Sequence, residues 1–141
     1  MSITARPVAG PLGDDGSAGA EIDALPQRWG GLAKLVREGL GLSAFGVQIM
    51  DLAPGYATGA HDERDTGQEE LYVALSGSGA VVRHRETGDE RLALDPDRIV
   101  AVGPAVARTL QAGPAGVRVL CVGAAPGRPY APPEWTAGFG G

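Results

Sequence analysis

Gly55–Gly77 reads GYATGAHDERDTGQEELYVALSG, and it passes from a charged, loop-like run into an apolar one. His61, Glu63 and Glu70 supply one imidazole and two carboxylates within ten residues. Glycines at 55 and 77 bracket them. Extended backbone alternates its side chains with period two, so His61 and Glu63 would share a face. Glu70 opens the next apolar segment, and its neighbour Glu69 would face the other way.

Outward from this stretch, short apolar runs recur about every ten residues from Phe45 onward. They are FGVQIMDL, ELYVALS, AVVRHR, ERLALD, RIVAV, ARTLQA and VRVLCVG, separated by APG, GSG, ETGD, DPD, GP and AGPAG. This rhythm predicts at least seven strands in an all-β antiparallel sandwich or small barrel over residues 45–123. Thr87-Gly88-Asp89 reads as a hairpin tip and Asp95-Pro96-Asp97 as a turn. By alternation Gln48 and Tyr72 would face the interior.

Upstream, residues 1–24 lack periodicity and read as an irregular arm in which Asp14 and Asp15 are solvated charges. Pro26 suits a first helical turn, and Leu32, Leu35, Val36 and Leu40 recur at three- and four-residue spacing. These features predict a short helix over 26–40 within a connecting region 25–44, stopped by Gly39 and Gly41. The tail, residues 124–141, is rich in proline and glycine and is expected to pack over the barrel through Tyr130 and Trp135.

Bulk properties exclude several classes. A chain of 141 residues suits one domain with one core. Net charge is -5 and basic residues are scattered, so no nucleic-acid partner is expected. No apolar run nears the roughly 20 residues that span a bilayer, and the N-terminus lacks a signal-type hydrophobic region. No membrane association and a cytoplasmic location are the resulting expectations. Cys121 is the only cysteine and lies in an apolar run, which suits a buried, inert thiol. Eleven arginines against one lysine, with no asparagine, fit a GC-rich bacterial genome.

The Gly55–Gly77 register resembles the first motif of the cupin family, G-x5-H-x-H-x3or4-E-x6-G. Gly55, His61, Glu70 and Gly77 match four of its five named positions, and Glu63 stands at the second histidine. The gap from Glu63 to Glu70 is longer than usual. The second motif, G-x5-P-x-G-x2-H-x3-N, falls on Asp97, Gly103, Ala105, Arg108 and Ala112. Its register holds and its identities do not. The resemblance covers residues 45–123 and implies a cupin-type double-stranded β-helix, or jelly-roll barrel, preceded by a short helix. It also implies that His61, Glu63 and Glu70 point into the barrel.

One imidazole and two carboxylates form a donor set for Fe, Mn, Ni or Zn. Arg108 stands where the family places its last histidine ligand. A guanidinium only donates hydrogen bonds and cannot ligate a metal. It would instead pair with Glu63 or Glu70, or bind an anionic ligand. His84, outside the motif, reads as structural or exposed.

Three functions follow. The first is a small cupin binding a small organic molecule, with Arg108, Tyr72 and Gln48 as ligand contacts and His61 as a candidate acid–base group. The second is a metal-dependent, dioxygenase-like cupin using His61, Glu63 and Glu70. The third is a non-catalytic binding or sensing module. The resemblance also implies a homodimer.

Overall fold

The computed structural model describes residue 12 and residues 16–136. Asp14, Asp15 and most of the expected arm lie outside them. The elements are β1 (Gln27–Arg28), β2 (Ala33–Leu35), α1 (Val36–Leu40), β3 (Gly46–Leu52), β4 (Glu69–Arg83), β5 (Glu90–Leu94), β6 (Val100–Val102) and β7 (Arg108–Ala124), with three 3-10 turns. All strand pairings are antiparallel. Strand order is β1-β2-β3-β7-β4-β5, with β6 also paired to β4.

The seven expected strands all fall within β3 to β7, but two pairs of them are continuous. ELYVALS and AVVRHR form the single strand β4, and ARTLQA and VRVLCVG form β7. GSG and AGPAG are not hairpin turns. Register shifts between Ala74/Ser76 and between Gly77/Gly79 bend the paired strands without ending them. Gly77 has φ +74°, and a Cβ there would sit 2.2 Å from the Gly116 carbonyl oxygen, so the bend requires glycine.

The bend folds one sheet onto itself. Glu69–Ala74 pairs with Val119–Ala124 and with β6, while Gly79–Arg83 pairs with Arg108–Ala112 and with β5. Both halves contribute to one core, Tyr72, Val100 and Val119 from the first and Val81, Leu94 and Leu110 from the second. Val81 and Val119 have no exposed surface. Burying a side chain of this size stabilises the fold by about 1.5–3 kcal/mol.

The helix expected over 26–40 is confined to Val36–Leu40. Trp29, Gly30 and Gly31 all have positive φ, which ends any helix begun at Pro26. Ala33–Leu35 then pairs with Gln48–Met50. The apolar spacing that suggested one helix is divided between two elements, with Leu35 in β2 and Val36 and Leu40 in α1. Among the described residues no helix is long and apolar enough to cross a membrane.

Candidate functional site

Alternation along β3 and β4 opens one face of the sheet onto a cavity of about 520 Å³. Gly46, Gln48 and Met50 line it from β3, and Glu70 and Tyr72 from β4. His61 reaches it from a single bridge to β7, where its backbone exchanges hydrogen bonds with Arg108 at 2.9 and 3.0 Å. Glu63 reaches it from the following loop, not from a strand. The long gap to Glu70 is taken up by a turn in which the Thr66 and Gly67 amides donate to the Glu63 carbonyl.

The three motif residues converge. His61 Nε2 lies 3.9 Å from Glu63 Oε2 and 3.8 Å from Glu70 Oε1. These are ion-pair distances, too long for hydrogen bonds. Behind Glu70 the contacts are tighter. The Tyr72 hydroxyl donates to Glu70 Oε1 at 2.5 Å, and Arg108 Nη2 donates to the same oxygen at 2.5 Å. Arg108 Nε donates to the Tyr72 hydroxyl at 3.1 Å, and Nη1 donates to the Val106 carbonyl at 2.9 Å.

This arrangement sets the ionisation of the site. Burial pushes the Glu70 carboxyl up, but contacts from His61, Tyr72 and Arg108 outweigh it and bring the group down to about 2. The Glu70 carboxylate raises the His61 imidazole above its ordinary value, against burial and the Arg108 charge. Burial, then the adjacent Glu70 charge, push the Tyr72 phenol upward, so it stays a hydrogen-bond donor. Burial likewise raises the Cys121 thiol, which faces the same cavity without becoming a nucleophile.

Of the two roles expected for Arg108, the structure shows the pairing with Glu70. The Arg108 side chain has no exposed surface and does not line the cavity. With acceptors on Nε, Nη1 and Nη2, it neutralises and positions Glu70 and has no free face for an anionic ligand. Gln48 and Tyr72 do line the cavity, although the Tyr72 hydroxyl is committed to Glu70 and Arg108.

The residues present do not fit a resident divalent ion. Glu70 Oε1 already accepts two hydrogen bonds, one from a cation, and a fixed positive charge there opposes a second. Among the described residues no group of three His, Cys, Asp or Glu side chains is arranged to hold a metal. His84 lies elsewhere, its ring nitrogens 2.9 Å from Asp89 Oδ1 and 2.8 Å from Thr109 Oγ1.

The remaining wall comes from distant segments. Trp29 and Trp135 stand with ring centroids 5.0 Å apart, and Tyr56, Thr58, Gln68 and Tyr130 join them at the cavity. The Arg37 guanidinium of α1 lies 5.3 Å from the Tyr130 ring centre, which supports that ring from outside. Sequence patterns on β3 and β4 pointed to the cavity floor. No local signal marked Trp29, Tyr56 or Gln68, because a loop residue's direction is set by tertiary contacts.

No protein-family model matches the chain, and no curated protein matches it. Solved structures do. A cupin protein from Bacteroides fragilis superposes with TM-score 0.56 at 21% identity, over 76% of this chain and 86% of that one. An RmlC-like cupin from Desulfovibrio desulfuricans gives TM-score 0.54 at 20% identity, over 65% and 79%. Oxalate decarboxylase from Bacillus subtilis gives 0.53 at 22% identity over 64% of this chain. The match spans only 24% of that enzyme, for which Mn(II) centres are described. An antiparallel barrel with its polar cluster facing an internal cavity defines the class. The protein has the cupin fold.

Proposed function

We propose that this cupin binds a small organic molecule in its cavity and exchanges a proton with it through His61, without a metal. The Arg108–Glu70 pair carries this reading. A buried guanidinium holds Glu70 ionised, and the carboxylate stands 3.8 Å from His61 Nε2. Glu63 adds a second carboxylate at 3.9 Å. Both favour the imidazolium, so His61 can take a proton from a bound ligand and return it at another atom. Trp29 and Trp135 screen one side of the cavity, while Gln48, Gln68 and Thr58 offer orienting hydrogen bonds.

A fragment screen read by tryptophan fluorescence and by the His61 ring protons tests the binding step, since both tryptophans border the cavity. Fragments that bind should move His61 and leave His84 unmoved. Each one is then incubated in D2O, and loss of its carbon-bound protons is followed by NMR. We expect exchange that falls by about a hundredfold in H61Q, the usual weight of a general base. Binding with no exchange would overturn the acid–base role and leave a binding module.

A further inference from the structure

Every tyrosine and tryptophan of this chain borders the one cavity just described. The three tyrosines are Tyr56, Tyr72 and Tyr130, and the two tryptophans are Trp29 and Trp135. Twelve basic residues are spread through the sequence, yet no lysine or arginine is among the side chains lining that cavity. Its two charged acceptors are Glu63 and Glu70, whose side chains are 21% and 15% exposed.

These three facts concern ligand charge. An aromatic face presents negative charge to whatever lies on it, and a cation over such a face gains about 0.5–2 kcal/mol according to how far it is desolvated. Arg108 balances Glu70 from behind. Glu63 is not balanced in the same way, because the Thr66 hydroxyl, 3.2 Å from its Oε1, is a neutral partner. In the proton-accepting form of the site, with the His61 imidazole neutral, Glu63 and Glu70 face a single cation, Arg108, and one net negative charge is left for a ligand to balance. Among the described residues no protein donor reaches Glu70 Oε2. An anionic ligand would meet two carboxylates and ring faces, with Arg108 buried and off the cavity wall.

We propose that the ligand of this cavity is a small organic cation, an amine or quaternary ammonium, held against the Glu63 and Glu70 carboxylates and walled by Trp29, Tyr56, Tyr130 and Trp135. This rests on the reading of the cavity as a ligand site and adds the chemical class. The fold leaves the cationic group room beside Glu63, while the two tryptophans close over its apolar part.

Three probes of similar size and different charge decide it: benzyltrimethylammonium chloride, benzyl alcohol and sodium benzoate. Each is titrated into the full chain at fixed ionic strength, with tryptophan fluorescence as the readout. We expect the ammonium compound to bind at least about tenfold more tightly than either of the others. In E63Q, an isosteric change on a half-buried loop residue, that advantage should shrink by about fivefold while benzyl alcohol binding stays the same. Benzoate or benzyl alcohol binding as tightly as the ammonium would overturn the cation assignment and leave the cavity a ligand site. An ammonium affinity unchanged in E63Q would also overturn it. If none of the three perturbs the tryptophans, the cavity reading fails together with it.

Discussion

Arg108 Nη2 lies 2.5 Å from Glu70 Oε1, and Arg108 Nε donates to the same Tyr72 hydroxyl that donates to Glu70. A guanidinium, a phenol and a carboxylate thus close a ring of hydrogen bonds behind the cavity wall. Each charge is desolvated, and each is tolerated only because the other is there.

Removing one partner therefore costs more than removing both. R108A should destabilise the fold by about 3–5 kcal/mol, because it leaves the Glu70 carboxylate buried and unpaired. The double variant R108M/E70L should be closer to wild type than R108A alone. Urea unfolding of wild type, R108M, E70L and the double variant measures the coupling. Additive losses would mean that the pair does not act as a unit.

Y72F tests the phenol separately. It removes one donor to Glu70 and one acceptor from Arg108 and keeps the ring packed in the core. A loss of about 1–3 kcal/mol in urea unfolding is expected, the usual cost of leaving a buried polar partner unsatisfied. A loss near zero would indicate that water replaces the hydroxyl at no cost.

The site also sets a pH dependence. Glu70 sits at about 2 when folded, below its ordinary 4.5, so its stabilisation is complete above about 4.5 and drains away as pH falls toward 2. His61 runs the opposite way. Its folded value is raised, so its contribution is full below about 6.5 and is lost as pH rises through the folded value. We expect E70Q to flatten the acid limb by roughly 3 kcal/mol and to lower the His61 midpoint. Unfolding across pH and NMR titration of His61, separated from His84 by comparison with H61Q, check both. A His61 midpoint unchanged in E70Q would show that Glu70 does not control it.

Cys121 gives an independent check on packing. It is 4% exposed, and burial raises its thiol well above the ordinary value. Labelling with a thiol-specific disulfide reagent at pH 8 should be slow in buffer and complete in denaturant. Rapid labelling of the native protein would mean that the cavity floor opens readily.

Much of the barrel was legible because its information is local. Alternation on β3 places Gln48 at the cavity, and the Gly55–Gly77 register brings His61, Glu63 and Glu70 together even though Glu63 sits on a loop. The errors come from long-range pairing. Glycine clusters mark turns and bulges alike, so the bends in β4 and β7 read as breaks between separate strands until their register is known. The stripe through Leu32 and Leu35 looked helical because Ala33–Leu35 finds its partner strand only in three dimensions. The fate of Arg108 was open for the same reason. A sequence shows a cation at a ligand position, and only packing shows whether it faces the cavity or lies behind Glu70.

The Arg108–Glu70 pair is the basis of the metal-free reading, and metal binding tests it most directly. Protein purified without added metal is assayed by elemental analysis, then heated with and without Fe(II), Mn(II), Ni(II) or Zn(II). We expect less than about a tenth of an equivalent of bound metal and no gain in Tm on addition, since a ligand stabilises only what it binds. Near-stoichiometric metal, with a rise in Tm that is lost in H61A, would contradict the pairing of Glu70 with Arg108 in place of an ion.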